Sequence, residues 1–346
     1  MVRGEASSRG RTYVRIIPGP IQVGPGSAGR REVRANLRSV HRRFGILTFA
    51  TGPFIDTARH WRNAEAIGFD TAWIPDVLTY PDLVHFDSLT LLAALARETS
   101  RIRIGTLVTQ IIYRHPVVLA AQAISLDRVS EGRFELGVGA GGAPVDSRAV
   151  GVEHWTARER VARFAEQLEM LDRLLRGERL DFAGQYYRAG GEPLATPVQR
   201  PRPPLVVAAQ GKGSLRLAAR FADVWNTMGG QDSTASGRAQ LPIEQALERT
   251  REQSRMLDEY CRDLGRDPRT IRRSVLALRA EPVPLTSLDA FDEFVGRYAE
   301  IGMEEFVFYW PPLANVRQKE PVSALQQATF ERIAEQRIAP LHRVGS

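Results

Sequence analysis

Between residues 44 and 343, short apolar segments alternate strictly with longer segments of helical periodicity. The short segments are almost continuously apolar, as expected of strands that helices cover on both faces. Such alternation predicts a parallel sheet, and its eight repeats favour closure into a (β/α)8 barrel, the TIM barrel. The predicted strands are 44–48, 71–76, 101–109, 134–142, 203–210, 223–228, 271–279 and 304–310. The predicted helices are 56–68, 87–100, 115–130, 156–177, 213–222, 242–265, 287–302 and 323–343.

One segment interrupts this alternation. Residues 180–191, LDFAGQYYRAGG, have the pattern of a β-hairpin and follow the fourth predicted helix. The proline-rich stretch 199–204 then leads to the fifth predicted strand. We therefore predict an insertion region after helix 4 of an otherwise regular barrel.

The first 43 residues differ from the rest of the chain in their charge. They hold ten arginines and only two glutamates, whereas the whole chain has a formal net charge of +7. The remainder is therefore nearly neutral and lacks the basic surface that binds nucleic acid. Proline, glycine and arginine dominate this segment, which predicts a disordered basic arm at 1–43 before a barrel domain at 44–346. Tethering to an anionic surface is the alternative role for the arm.

Cysteine content and hydropathy indicate the cellular compartment. Cys261 is the only cysteine, which excludes an internal disulfide and favours a reducing cytoplasm. No apolar run approaches the roughly 18 residues of a membrane span, and the first residues lack the apolar core of a signal peptide. Only Lys212 and Lys319 of the 47 basic residues are lysine, a bias typical of a GC-rich bacterial genome. We expect a cytoplasmic bacterial protein with a small-molecule substrate.

The active site of a (β/α)8 barrel lies at the carboxyl ends of its strands, which restricts the candidate residues. Asp76 ends the second predicted strand and is a candidate to contact a cofactor ring or accept a proton. Holding a loop is an equally good interpretation of this aspartate. His154 lies in the loop after the fourth predicted strand and is a candidate to face substrate, as is His85 in an earlier loop.

Two glycine-rich turns follow predicted strands. The turn Gln210, Gly211, Lys212, Gly213, Ser214 precedes a helix, so its N–H groups and the lysine are suited to bind phosphate. A plain strand-to-helix turn is the alternative.

The other turn, GVGAGG at 137–142, fits G-x-G-x-x-G. No helix follows it directly, and no acidic residue ends a strand about 20 residues later, which argues against a Rossmann site. Close approach of a flat cofactor to the backbone explains its glycines better. The sequence contains no cluster of metal ligands and no nucleophile elbow.

Four stretches resemble a known family. They are DTARHWRNAEAIGFDTAWIPD, LLAALARETSRIRIGTLVT, YRHPVVLAAQAISLDRVSEGRFELGVGAGG and PPLVVAAQGKGSLRLAARFADVWN. Together they resemble the luciferase-like monooxygenases over roughly 44–228, and most specifically over 101–142.

The resemblance implies a (β/α)8 barrel that binds reduced FMN or the deazaflavin coenzyme F420 at its carboxyl-terminal mouth. It implies a non-prolyl cis peptide at Leu107–Val108, with Thr109 beside it, under the central ring of the cofactor. It also places Gly139, Ala140 and Gly141 near the cofactor chain and assigns the turn 210–214 to its phosphate. Homo-oligomers and a separate reductase that supplies reduced cofactor are further expectations.

Two departures from the family pattern limit the reaction. Many members have Asp-His at the end of strand 2, where this chain has Asp76 and Val77. The sugar-phosphate dehydrogenases of the family use that histidine and a glutamate at the position of Gly142. Because both groups are missing, we do not expect sugar-phosphate dehydrogenase activity, and the general acid or base stays unassigned.

The sequence therefore predicts an oxidoreductase that uses F420 for hydride transfer or reduced FMN for O2-dependent monooxygenation. The glycine run and the inferred genome type favour F420 slightly. A non-catalytic protein that binds the same cofactors is the main alternative, and a partner-binding protein that uses its basic arm is another. The loops at 77–87, 142–156 and 229–242 would select the substrate, but their composition names none.

Overall fold

Eight parallel strands form a closed barrel in the computed structural model, which describes residues 42–78, 86–142, 144–230, 241–278, 280 and 283–342. The barrel strands follow the order β3, β2, β1, β11, β10, β9, β8 and β5, and pairing of β3 with β5 closes the ring. The predicted TIM barrel is therefore confirmed. The strands are β1 (Arg43–Leu47), β2 (Thr71–Ile74), β3 (Arg103–Thr106), β4 (Thr109–Gln110), β5 (Phe134–Gly139), β6 (Leu180–Ala183), β7 (Arg188–Gly191), β8 (Leu205–Ala208), β9 (Val224–Thr227), β10 (Arg272–Leu276) and β11 (Glu305–Tyr309).

Helices follow the strands along the chain and cover the outside of the barrel. They are α1 (Phe54–Ala66), α2 (Ser88–Glu98), α3 (Pro116–Val129), α4 (Pro144–Ala149), α5 (Ala157–Leu175), α6 (Lys212–Phe221), α7 (Ile243–Asp263), α8 (Leu288–Glu300), α9 (Leu313–Gln318), α10 (Ala324–Ile333) and α11 (Ala339–His342). Short 3-10 helices lie at Pro268–Thr270 and Pro284–Thr286, and Ala334–Ile338 forms a π-helix. Within the described residues, no helix has the length and apolar character needed to cross a membrane.

The interior of the barrel is filled by side chains from alternating positions of its strands. Leu47, Trp73, Val206, Val224 and Val307 form one buried cluster there. Burial of such side chains drives closure of the ring, because each contributes about 1.5–3 kcal/mol on leaving water. The apolar runs of the sequence thus face a packed interior on one side and the helices on the other.

The insertion after helix 4 is the predicted hairpin. Strands β6 and β7 pair antiparallel, with Leu180 opposite Gly191 and Ala183 opposite Arg188. The fourth predicted helix is α5, and the hairpin follows it. Its number differs because the short helix α4 lies in a region that was predicted as a loop. The PVDSRA sequence of α4 is too short to show helical periodicity.

The boundaries of two predicted segments differ from the structure. β1 begins at Arg43, which was predicted to belong to the arm. Residues 1–41 of the arm lie outside the described residues, as does His85, so the arm remains a prediction. The predicted last helix, 323–343, is divided by the π-helix, and α9 lies in a stretch that carried no prediction.

Buried charges concentrate at the amino-terminal ends of the strands, opposite the expected site. Glu135 receives Arg103 Nε at 2.5 Å, Arg272 Nη2 at 3.0 Å and Arg43 Nη1 at 3.5 Å. Arg272 also contacts Glu305, with its Nε at 2.8 Å from Oε2. Both carboxylates are almost completely buried. Removing one partner of these ion pairs would destabilise the fold, because a buried charge without its partner is costly.

The pKa values of the two buried glutamates are shifted in opposite directions. Burial alone would raise the pKa of Glu135, but the guanidinium groups of Arg272, Arg103 and Arg43 hold that pKa below its ordinary value. Burial raises the pKa of Glu305, which has fewer cations around it and lies beside the charge of Glu135. A depressed carboxyl pKa stabilises the fold above the pKa of the unfolded chain, and that contribution is lost as the pH falls through the folded pKa.

We predict that Glu135→Gln destabilises the protein by about 3–5 kcal/mol at neutral pH, since it removes the buried carboxylate that three guanidinium groups share and leaves only Arg272 with another in the described part of the chain, that of Glu305. Glu131→Gln is the matched control, because Glu131 is exposed and, among the described residues, forms an ion pair only with the exposed Arg97. The control should change stability by less than about 1 kcal/mol. Urea denaturation measures both variants, and equal losses would contradict a structural role for the buried cluster.

Candidate active site at the barrel mouth

Parallel pairing brings the predicted site segments to one edge of the barrel. Gln110 pairs with Gly139, and Gly139 pairs with Ala208, so the strand ends before 139–141 and 210–214 are neighbours. Ile74 of β2 pairs with Thr106 of β3, which places Asp76 and the segment 107–109 at the same edge. The structure thus gathers the segments that the sequence analysis selected separately.

The Leu107–Val108 peptide bond is cis, which confirms the expectation from the family resemblance. The third predicted strand therefore divides into β3 and β4. Gly105 pairs with Glu135, and Thr109 pairs with Val138. Thr109 lies four residues after Gly105, whereas its partner Val138 lies only three residues after Glu135. The extra residue makes a bulge at the barrel mouth.

The glycines of β5 make room for this bulge. A Cβ atom on Gly139 would lie 2.7 Å from Val108 Cγ2, and one on Gly137 would lie 1.8 Å from the Thr106 carbonyl oxygen. Larger residues at either position would displace the bulge. These two glycines therefore contact the protein's own backbone and Val108, rather than serving only the close approach of a flat cofactor.

The Thr109 hydroxyl is the buried polar group next to the bulge that has no hydrogen-bond partner among the described residues. Leaving a buried hydroxyl unsatisfied costs about 1–3 kcal/mol, so such groups call for a ligand or water. A polar atom at the edge of a cofactor ring would supply the missing hydrogen-bond partner of this hydroxyl. Thr109 thus fits its predicted place in a cofactor site.

Asp76 is buried and its carboxylate is held by protein groups. Ser88 Oγ donates to Asp76 Oδ1 at 2.6 Å, and Arg114 forms an ion pair with Oδ2. Arg114 also forms an ion pair with Asp87, which caps α2. Asp76 is thereby a fixed anion that connects two mouth loops, and its catalytic or cofactor-binding role stays a prediction.

The turn 210–214 has the geometry of an anion site. Helix α6 begins at Lys212, and Gly211 provides no side-chain cap for its first N–H groups. The Gln210 N–H donates to Ser214 Oγ at 3.3 Å, which fixes the shape of the turn. Gly211, Lys212 and Gly213 are exposed. An uncapped helix N-terminus carries partial positive charge and free donors, which suits a phosphate group.

Arg160 was missed by the sequence analysis and lies on α5, whose next residue, Val161, contacts this turn. Its Nη1 donates to the Trp155 carbonyl oxygen at 2.9 Å, and no carboxylate pairs with it among the described residues. Its Nη2 would lie 3.7 Å from a Cβ on Gly142. A Cβ on Gly213 would lie 3.0 Å from Val161, which places α5 against the start of α6. Only this packing of helices distant in sequence reveals Arg160.

His154 lies in the same small cleft, which is lined by Ala140, Gly141, Gly142, His154 and Arg160 among others. The His154 side chain is exposed, and its Nδ1 lies 3.2 Å from Ser147 Oγ. Gly141 has a φ of +68° that favours glycine, and it abuts the Gln110 amide. The cleft therefore joins His154 to the predicted cofactor chain, while its catalytic role stays a prediction.

A family model described as luciferase-like monooxygenase matches residues 40–261. The chain belongs to this family.

Proteins of known activity agree with this membership. An F420-dependent glucose-6-phosphate dehydrogenase of Kineococcus radiotolerans is 34% identical over 209 residues, covering 58% of this chain and 59% of the relative. A 4-hydroxyprotoasukamycin monooxygenase of Streptomyces nodosus subsp. asukaensis is 34% identical over 131 residues, covering 34% of this chain and 33% of the relative. The chain thus spans less than two thirds of the length of these relatives.

The barrel itself is shared with solved structures. The F420-dependent tetrahydromethanopterin reductase of Methanopyrus kandleri superposes with a TM-score of 0.68 at 16% sequence identity. The match covers 87% of this chain and 99% of that protein. At this identity the likeness concerns the fold.

A second polar cluster lies behind the cleft of this luciferase-like barrel. Tyr113 donates its hydroxyl proton to Asp146 Oδ1 at 2.6 Å, and Gln110 Nε2 donates to Asp146 Oδ2 at 3.0 Å. Asp146 is buried on α4. Burial and the Asp146 hydrogen bond raise the pKa of Tyr113 far above its ordinary value, so the tyrosine stays protonated. The cluster ties the chain after the bulge to α4.

We predict that Tyr113→Phe lowers stability by about 1–3 kcal/mol, because it removes one of the two donors of a buried carboxylate. Tyr260→Phe is the control: its ring packs on Arg216, and no described residue hydrogen-bonds its hydroxyl. That substitution should cost less than about 0.5 kcal/mol. Urea denaturation measures both. A loss from Tyr113→Phe no greater than that of the control would contradict the role of the cluster.

Proposed function

We propose that the protein is an oxidoreductase that binds coenzyme F420 or FMN at the barrel mouth and acts on a small organic substrate. The observation that carries the proposal is that neighbouring strand ends at the mouth hold the uncapped N-terminus of α6 and the bulge with the unsatisfied Thr109 hydroxyl, with Arg160 in the cleft beside Gly142. One cofactor molecule with a phosphate chain and a polar ring would satisfy all three features. Luciferase-like membership gives the same cofactor class.

Each predicted segment has a part in this proposal. The turn 210–214, with Lys212, and Arg160 would hold the cofactor phosphate, since N–H groups and guanidinium are strong phosphate donors. Leu107, Val108 and Thr109 would support the ring, and 139–141 would border the chain between ring and phosphate. Asp76 would act as a fixed anion near the ring. When bound, a deazaflavin supplies hydride transfer, whereas reduced FMN supplies the reaction with O2.

F420 is the cofactor that we favour. The relative from Kineococcus radiotolerans and the superposed reductase are both named as F420-dependent. We do not extend the glucose 6-phosphate substrate of the former to this chain, because Val77 and Gly142 replace the residues that sugar-phosphate dehydrogenases of the family use. Reduced FMN with O2 is the second candidate, favoured by the Streptomyces monooxygenase relative. It would require a reductase as partner.

The same proposal includes a cytoplasmic location and assembly into homo-oligomers. The lone Cys261 is buried, in keeping with a reducing compartment. Native mass spectrometry of the purified protein would measure the oligomeric state.

Titration with F420 and with FMN, followed by absorbance and fluorescence, tests the proposal. We expect saturable binding of at least one of the two. Turnover of candidate substrates with and without O2 then separates hydride transfer from monooxygenation, since only the latter requires O2. Failure of the protein to bind either cofactor would reject the proposed function, and binding without any redox turnover would favour the non-catalytic alternative.

We predict that Arg160→Gln weakens cofactor binding about tenfold or more, because hydrogen bonds to charged groups contribute about 1.5–3 kcal/mol. Arg158→Gln is the matched control, since Arg158 lies two residues earlier on α5 and is exposed. The control should bind with nearly the affinity of the unaltered protein. Equal affinities of the two variants would remove Arg160 from the phosphate site.

A further inference from the structure

The hairpin β6–β7 is fastened to α5 by one carboxylate. Glu166 accepts hydrogen bonds from the N–H groups of Gln185, Tyr186 and Tyr187, at 2.8, 2.9 and 3.0 Å. A Cβ on Gly184 would lie 2.4 Å from Glu166 Oε2, so the close approach requires glycine. Three charge-assisted hydrogen bonds to one turn fix its position on the helix.

Arg163 lies between two aromatic rings, one from the hairpin and one from the barrel mouth. Its guanidinium carbon is 4.4 Å from the ring centroid of Tyr186 and 4.1 Å from that of Trp155. Glu159 accepts from Arg163 Nε at 2.9 Å and from Nη2 at 2.8 Å, which fixes the plane of the guanidinium. We call Trp155, Arg163 and Tyr186 the aromatic–arginine stack. Both faces of the cation are thereby in favourable contact with aromatic rings.

The stack ends at the cleft that contains Arg160. The carbonyl oxygen of Trp155 accepts from Arg160 Nη1 at 2.9 Å, and both residues line the cleft with Gly142. A fixed Trp155 therefore limits the orientations available to the Arg160 guanidinium. Contacts run without a gap from the hairpin turn through Tyr186, Arg163 and Trp155 to Arg160.

We propose that the hairpin insertion positions Arg160 for the cofactor phosphate, and that Arg163 and Tyr186 are positioning residues that act through Trp155. The inference rests on the proposed function, because it assigns a role to the insertion in the same site. An arginine side chain loses considerable rotamer freedom on binding an anion, so holding it in the bound orientation beforehand strengthens binding. This gain in affinity applies only to ligands that carry the phosphate.

Comparison of FMN with riboflavin isolates this contribution, because riboflavin has the same ring and ribityl chain but no phosphate. Dissociation constants of both are measured by fluorescence quenching for the unaltered protein, Tyr186→Ala, Tyr186→Phe and Tyr187→Ala. Thermal denaturation shows whether each variant is folded. If the protein accepts only the deazaflavin, F420 and its phosphate-free deazariboflavin core replace the pair.

We expect Tyr186→Ala to weaken FMN binding about fivefold or more while riboflavin binding stays within about twofold, since only the phosphate contact depends on the stack. Tyr186→Phe keeps the ring over Arg163 and should restore FMN affinity. Tyr187→Ala truncates the neighbouring ring, which packs edge-on against His115, whereas the rings stacked on Arg163 are those of Trp155 and Tyr186. It should leave the ratio of the two dissociation constants unchanged.

Two results would overturn the inference: an unchanged ratio of the two dissociation constants in Tyr186→Ala, as when both ligands are weakened equally, or the same change of ratio in Tyr187→Ala. The last would attribute the effect to a loosened hairpin rather than to the stack. These results differ from failure of the proposed function, in which the unaltered protein binds neither F420 nor FMN. Equal affinity of the unaltered protein for the phosphorylated and phosphate-free ligands would reject both the phosphate site and its positioning.

Discussion

Close packing of Val108 against the glycines of β5 is the contact on which the barrel mouth depends. The ring closes between β3 and β5, and there the chain carries one extra residue around the cis peptide at Leu107–Val108. Gly139 leaves the space that the Val108 side chain occupies. The bulge places the Thr109 hydroxyl in a buried position where no described residue hydrogen-bonds it, and it sets the place of Gln110 against the glycine turn. The candidate active site and the closure of the barrel therefore depend on the same bulge.

Charged groups serve different purposes at the two ends of the barrel. At the amino-terminal end, buried Glu135 is surrounded by arginines, an arrangement that contributes to stability. At the mouth, Asp76 is held by Arg114, whereas Arg160 and the N-terminus of α6 have no acidic partner among the described residues. At the mouth, positive charge without an acidic partner among the described residues therefore lies where an anionic ligand is proposed to bind.

The sequence predicts the barrel well because every strand is an apolar run and the helices between them are long and periodic. It also predicts the hairpin, whose turn residues are local signals. The cis peptide was expected from the family resemblance alone, since nothing in LVT requires it. Tyr113 and Asp146 could not be found in advance, because the contacts of Asp146 join residues 33 and 36 positions apart. The place of Arg160 depends on the packing of α5 against α6. Helix α4 is too short for a periodic signal.

Determination of a crystal structure with F420 or FMN bound tests the central claim most directly. The account predicts the ring against Val108, a polar ring atom within hydrogen-bond distance of the Thr109 hydroxyl, and the phosphate between Arg160 and the first N–H groups of α6. A cofactor bound elsewhere, with Thr109 still without a partner and Arg160 away from the phosphate, would contradict it.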